Sequence, residues 1–305
     1  MKRIKGFMLC IMTVMTFCLL FSNVLTVSAA TEKKEGEVYV EAYYDVKGNV
    51  QNTKKMRIGT MDMYSFRVEY GKGDKITNLK VKKGGMTAKV TYSREYAYSD
   101  YGYSDISMYA TKAGTYTVSF DVVDSQNKKL KSCSVKVQAV NTYAVIKKAV
   151  FGKKTVKTNT ASIKKGTLKT SSKDATKVSG KSGKIKVTPN SQYKITGLVV
   201  VAVDKNGQYT YKKIKNGKKI TLSKTYEDTY RYASGNGYSS RSAKKYTYIY
   251  VSYKDKFFGD TCTYSVSKAR GRKEVKRVEK DKATGERTTS YGRCPSSYDI
   301  RLWQY

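Results

Sequence analysis

Proton-transfer and nucleophilic catalysis are poorly supported by the residue types of this chain and their spacing. It has no histidine, which excludes Ser-His-Asp and Cys-His arrangements, histidine general bases and the zinc-protease helix. Ser-x-x-Lys occurs at Ser125, Ser162, Ser242 and Ser265, each time without the Lys-Thr-Gly partner of hydrolases that use it. In a chain so rich in both residues the spacing reads as chance. Asp204-x-Asn206-Gly207 opens like a calcium loop, but no Glu stands at the required distance, so a plain turn is expected. No metal, no cofactor and no catalytic residue are expected. A hydrolase with an unfamiliar carboxylate pair is favoured by nothing specific.

Three cysteines lie outside the N-terminal leader. Cys133 is in phase with Val135, which reads as a buried free thiol. Cys262 and Cys294 could form a disulfide in an oxidising compartment. A straight run from Cys262 to Lys280 would leave the two about eleven residues, or about 36 Å, apart. A disulfide allows only ~4.4–6.8 Å between Cα atoms. The bridge therefore requires a bend near Ala269-Arg270-Gly271, and both outcomes stay open.

Binding chemistry is better represented. Two tyrosine clusters, with Tyr96, Tyr98 and Tyr101 in one and Tyr226, Tyr230, Tyr232 and Tyr238 in the other, are interleaved with Ser, Gly and Asn. Large amphipathic rings on such loops suit recognition of sugars or proteins, although exposed Tyr at a sheet edge is the plainer reading. The second resource is charge. Residues 31–140 carry a net +6 and residues 141–305 a net +27, so the rear half is the basic half. Such a field attracts polyanions and says nothing about fold. Lys147, Lys148, Lys153, Lys154, Arg270, Arg272, Lys273, Lys276 and Arg277 are the candidate anion contacts.

What positions these residues is a succession of strands. From Lys112 to Val140, Tyr116, Val118, Phe120 and Val122 alternate with Thr117, Ser119 and Asp121. After a polar turn, Cys133, Val135, Val137 and Ala139 alternate with polar residues, a β-hairpin covering a core. Ahead of it, Val38 to Val46, Met56 to Ile58, Tyr64 to Tyr70, two runs around Lys83-Gly84-Gly85, and Ile106 to Ala110 complete about seven strands. Asn141 to Val187 reads as a solvated, partly flexible strand-and-loop stretch. Tyr193 to Asp204 is a candidate strand buried on both faces. Tyr246 to Tyr253 corresponds to the strand carrying Tyr116, and Thr261 to Val266 is expected to close that sheet. Beyond it come a charged hairpin and a tail, Tyr298 to Tyr305, expected to dock.

Ala113-Gly114-Thr115-Tyr116-Thr117-Val118 resembles the penultimate strand of secreted bacterial immunoglobulin-like domains of Gram-positive style. The resemblance implies an immunoglobulin-like fold rather than a chemistry. It also implies that Tyr116 turns its ring under a corner and bonds its hydroxyl back to the backbone. The chain opens with Lys2, Arg3 and Lys5, an apolar run, and small residues at Ala29 and Ala30, the form of a secretory signal peptide.

The expected fold class is therefore all-β, two tandem immunoglobulin-like β-sandwiches after a signal peptide, with a C-terminal charged β-hairpin. The boundaries are 1–30 for the signal peptide, 31–140 and 141–267 for the sandwiches, and 268–305 for the hairpin and docked aromatic tail. The expected protein is non-enzymatic, secreted or in the cell envelope, noncovalently associated with the wall and not membrane-spanning once processed. Its rear half would adhere to an anionic wall polymer, acidic glycan or lipid headgroup, with no physiological nucleic acid partner. The alternative is a carbohydrate- or protein-binding adhesin using the tyrosine loops, with another surface protein as partner.

Overall fold

A computed structural model describes residues 32–34, 36–171, 175–233, 236–269, 271–292 and 298–305, without the side chains of 228–240 and 269. Among the described residues every regular element is a strand, so no helix is long and apolar enough to cross a membrane. The leader at 1–30 lies outside the described residues.

The front half contains β1 (Tyr39–Val40), β2 (Tyr43–Tyr44), β3 (Val50–Gln51), β4 (Lys55–Gly59) and β5 (Met63–Gly71). It continues with β6 (Lys75–Val81), β7 (Met86–Glu95), β8 (Tyr101–Ala110), β9 (Gly114–Val123) and β10 (Lys129–Val140). One sheet has the order β1-β5-β8-β7 and the other β4-β10-β9-β6, with β4 parallel to β10. That is the two-sheet order of an immunoglobulin-like sandwich, with β9 and β10 as its last two strands. Their register pairs Tyr116 with Val137, Val118 with Val135 and Phe120 with Cys133. The inward residues meet Phe66, Val68, Ile106 and Met108 from the facing sheet in one core.

Tyr116 is 2% exposed and donates its hydroxyl to the Lys112 carbonyl at 2.7 Å, the corner bond that the resemblance implies. Gly85 closes over that ring with φ of 99°, and a Cβ there would lie 3.0 Å from the hydroxyl oxygen. Val38 to Val46 is not one strand. Glu41 adopts φ of 40°, which ends β1 and sends the chain into the small β2–β3 hairpin.

The rear half opens with β11 (Ile146–Phe151), β12 (Lys154–Val156), the hairpin β13 (Thr160–Lys164) and β14 (Thr167–Ser171), β15 (Thr176–Lys177) and β16 (Ser182–Pro189). The Lys-rich stretch after Asn141 is largely extended and paired, with loops between the strands, and its described lysines are exposed, in keeping with the solvated strand-and-loop reading. Next come β17 (Tyr193–Val203), β18 (Tyr209–Ile214), β19 (Lys219–Thr221), β20 (Asp228–Ala233), β21 (Asn236–Arg241) and β22 (Lys245–Asp255). The chain ends with β23 (Thr261–Ala269), β24 (Arg272–Lys280), β25 (Arg287–Gly292) and β26 (Ile300–Gln304).

One rear sheet has the order β12-β11-β16-β19. It packs on a second sheet in which β22 lies between β17 and β26, and β26 runs parallel to β15. Ile185, Val187, Leu198, Val200, Ile249, Val251, Ile300 and Leu302 fill the space between them. The closing strand is the C-terminal tail, not Thr261 to Val266. Ile300 and Leu302 are 1% and 0% exposed, and burying each contributes roughly 1.5–3 kcal/mol. β23 pairs with β22 over only Tyr253↔Cys262 and Lys254↔Thr261, then pairs with β24 along its length. This ladder folds back over the opposite face of β17 and β22, so Val199, Val201, Tyr248 and Tyr250 pack against Cys262, Tyr264 and Val275. β17 is accordingly buried on both faces, as its unbroken apolar run predicts.

The halves meet through Arg57, whose side chain is 10% exposed. It donates two bonds to the Asp255 carboxylate, at 2.7 and 3.0 Å, and one to Gln138. Its guanidinium also lies over the rings of Tyr193 and Phe258. Removing one partner of such an enclosed pair costs roughly 3–5 kcal/mol. Val46 donates to the Thr284 carbonyl at 3.0 Å, and Gly166 sits so close to the Met61 carbonyl that a Cβ would approach to 2.4 Å.

Candidate binding surfaces

The sequence candidates for anion binding do not form one patch. Lys147 and Lys148 lie exposed on β11, Lys153 in the following turn and Lys154 on β12. Arg272 and Lys273 lie exposed on β24, across the second sheet from β11. Lys276 rests over the Tyr291 ring at 5.6 Å. Arg277 is half-buried and bonded to Glu279 at 2.5 Å, so its charge is already matched. Arg270 lies outside the described residues.

The structure selects a different group on the outer face of the sheet β12-β11-β16-β19. Ile185 and Val187 point inward, which turns Lys184 and Lys186 outward. Lys184 stands directly opposite Lys219, Lys186 opposite Val150, and Lys148 opposite Thr188. The four strands of this sheet contain six lysines and no Asp or Glu. Among the described residues, no ion pair involves Lys148, Lys184, Lys186 or Lys219. Like charges directly opposed in a sheet are destabilising, and only counterions or a bound anion relieve them. The alternation in Lys184-Ile185-Lys186-Val187 was the available sequence signal, but pairing with Lys219 depends on register.

The front tyrosine cluster is a strand pair more than a loop. β7 and β8 continue pairing to Arg94↔Tyr103 and Glu95↔Gly102, leaving only 96–100 as the turn. Tyr96 packs on Tyr101 with ring centroids 5.3 Å apart and on Tyr103 at 5.6 Å, and Tyr92 extends the row at 5.8 Å. Arg67 covers the Tyr103 ring at 3.8 Å and Arg94 covers Tyr96 at 5.7 Å. Tyr98 is fully exposed, and Tyr101 is 48% exposed.

Beside this row lies a cavity of about 510 Å³, lined by Tyr39, Tyr70, Tyr96, Ser99, Asp100 and Tyr101 together with Lys33, Lys34, Glu37 and Glu69. Lys33 pairs with Glu69. The Tyr39 hydroxyl donates to Glu37 at 3.0 Å and accepts the Lys34 N–H at 2.9 Å, and burial raises its pKa above the ordinary value. Of the rear cluster, Tyr226 is half-buried beneath Lys245 at 5.5 Å. The side chains of Tyr230, Tyr232 and Tyr238 lie outside the described residues, although β20 and β21 pair as a hairpin.

Cys133 is a partly buried free thiol packed against the front core. Cys262 is a buried free thiol, not one half of an observed bridge, and Cys294 lies outside the described residues. The chain does turn near Gly271, from β23 into β24, the bend that a bridge would require. It places Cys262 opposite Glu279 and Thr288, while Gly292 pairs with Val275, four rungs further along. Burial raises the thiol pKa of both Cys133 and Cys262, with Arg277 opposing the shift at Cys262. Neither has the exposed, electropositive setting of a reactive cysteine.

The enclosed carboxylates are engaged. Asp255 holds Arg57 and accepts the N–H groups of Phe257 and Phe258. Glu227 accepts the hydroxyls of Tyr209 and Tyr248. Asp299 accepts the Val251 N–H at 2.7 Å, and although part of the residue meets solvent, enclosure of its carboxyl pushes its pKa up to about 6. Asp204 accepts the N–H groups of Asn206 and Gln208, a plain turn.

No family model and no curated protein matches the chain. It is similar to the fibronectin(III)-like modules of CbhA from Clostridium thermocellum at 11% identity, over 88% of this chain and 95% of that one, with a TM-score of 0.27. The C-terminal domain of the AgI/II polypeptide BspA from Streptococcus agalactiae is similar at 10% identity, over 88% and 100% of the two chains, with a TM-score of 0.23. The secreted serine protease VesC from Vibrio cholerae is similar at 13% identity over 55% of this chain, with a TM-score of 0.23. Only 43% of that protease chain is spanned. Likenesses this weak carry no argument, and the immunoglobulin-like assignment stands on strand order.

Proposed function

We propose that this chain is a secreted or cell-envelope binding protein, not an enzyme, and that its rear half adheres noncovalently to an anionic polymer. Wall teichoic acid, acidic polysaccharide and anionic lipid headgroups share the required chemistry. The observation that carries this reading is the outward face of Lys148, Lys184, Lys186 and Lys219, on a sheet without a single acidic residue. A polyanion laid across it offsets the repulsion between Lys184 and Lys219 and releases its own counterions. The net +27 of the rear half adds long-range attraction. The leader supports export, and the engaged carboxylates favour binding over catalysis.

The test removes equal charge from two places. Lys148, Lys184, Lys186 and Lys219 are changed to Gln in one variant, and Lys72, Lys82, Lys89 and Lys128 in another. Affinity for purified teichoic acid is then measured against salt. The rear variant should bind more weakly, with the slope of log K against log salt reduced by about 3. Equal losses in both variants would show that net charge, not this face, governs binding.

A further inference from the structure

We propose that the groove between Tyr39 and the Tyr96–Tyr101 turn is a binding site for an uncharged saccharide chain, separate from the lysine face and independent of the reading given for it. Among the described residues its walls carry two lysines against three carboxylates, Glu37, Glu69 and Asp100, in a chain with net charge +36. This groove is therefore a place where the positive field is locally cancelled. Lys33 is already paired with Glu69, and Glu37 already accepts a hydroxyl. An anion would meet the carboxylates, and a cation would compete with Lys33 and Lys34. A neutral ligand rich in hydroxyls meets neither penalty.

Pyranose rings match the remaining features. One face of such a ring is a row of C–H groups that packs on an aromatic face, while its hydroxyls both donate and accept. Tyr101 lines the groove with a half-exposed ring, and Tyr96 is held between Tyr101 and Tyr103, so the wall is rigid before ligand arrives. Asp100 and Glu69 accept hydroxyl hydrogens, as does the oxygen of Ser99, whose own hydrogen goes to the Tyr101 carbonyl at 3.3 Å, and the lysines donate. The cavity of about 510 Å³ is within the usual range for small-ligand sites. A protein partner needs roughly 800 Å² per side, more than a groove of this kind supplies.

The mature chain is titrated calorimetrically with N-acetylglucosamine hexamer, maltohexaose and mannohexaose, at about 20 mM and about 500 mM NaCl. At least one oligosaccharide should bind with less than about a twofold change between the two salts, and Tyr101→Ala should weaken it at least about tenfold. Asp100→Asn, at an exposed turn residue of the groove wall, should also weaken binding and repeats the test where folding is not in question. The lysine-to-glutamine rear variant should bind the sugar unchanged, which separates failure here from failure of the polyanion reading. No binding by any of the three, binding that falls steeply with salt, or full binding by both Tyr101→Ala and Asp100→Asn would overturn the proposal.

Discussion

β9 in the front half and β22 in the rear half hold the same place, each beside the sheet's closing strand, yet they turn their tyrosines to opposite sides. In β9, Tyr116, Val118 and Phe120 face the core, and the outward positions are Thr117, Ser119 and Asp121. In β22, Ile249 and Val251 face the core, while Tyr246, Tyr248 and Tyr250 face away. The front strand has a polar outer face and needs no cover. The rear strand is apolar on both faces, so the chain between Asp255 and Ile300 folds back as β23 and β24 to bury the rings before β26 closes the sheet. Tyr246 consequently does not repeat the Tyr116 corner. Its ring lies against Arg301 at 4.8 Å, and the inward Thr247 accepts the Ser223 N–H.

Three substitutions test this contrast. The largest effect is expected from Leu302→Ala, which should cost roughly 2–5 kcal/mol if the tail closes the rear core. Trp303, the only tryptophan, lies in β26, so its fluorescence reports the rear half alone. Its unfolding midpoint in urea should fall sharply. An unchanged midpoint would mean that the tail is an appendage and that the rear sheet closes otherwise.

Asp299→Asn should have a smaller effect, dependent on pH. The Asp299 carboxyl titrates near 6 when folded and near 3.8 when unfolded, so the folded chain holds the extra proton. Its stabilising contribution is complete below the unfolded value and is lost as pH rises through about 6. The asparagine variant should therefore be more stable at about pH 7.5, by up to about 3 kcal/mol, an advantage that largely vanishes near about pH 4. With no histidine to obscure the window, melting curves of both proteins between those limits suffice. A constant difference across pH would show that this carboxyl titrates normally.

The smallest effect should come from Tyr116→Phe, which removes only the corner bond to Lys112, about 1 kcal/mol. Circular dichroism should record a lower front transition while Trp303 fluorescence stays where it was. Equal shifts in both signals would mean that the halves unfold as one body through the Arg57–Asp255 contact.

Much of the front half was legible because its pattern is simple. Each strand has one apolar face, the turns carry Gly or Asp, and the hairpin register follows from the alternation around Asp124 to Lys128. The hydrogen bond of Tyr116 was implied by the resemblance that its Ala-Gly-x-Tyr-x-Val motif carries. The candidate sites were less legible. Lys147 and Lys148 could be named from their density, but Lys184, Lys186 and Lys219 come from separate strands, so their common face needed the sheet order. The tyrosine groove likewise needed Tyr39 from β1 and Glu69 from β5 to reach the turn after β7. In the rear, a strand apolar on both faces states that two layers will cover it without saying which segments they are.

The amino-acid order by itself determined that the described part of the chain would be built of strands, that positive charge would load its rear, and that histidine chemistry would be absent. Alternation, charge and residue type are local properties, readable one segment at a time. Tertiary structure decided that the last strand would close the rear sheet, which lysines would face one another and where the field would be neutralised. Those outcomes depend on contacts between segments far apart in the chain, whose free energies compete only after the sheets have assembled.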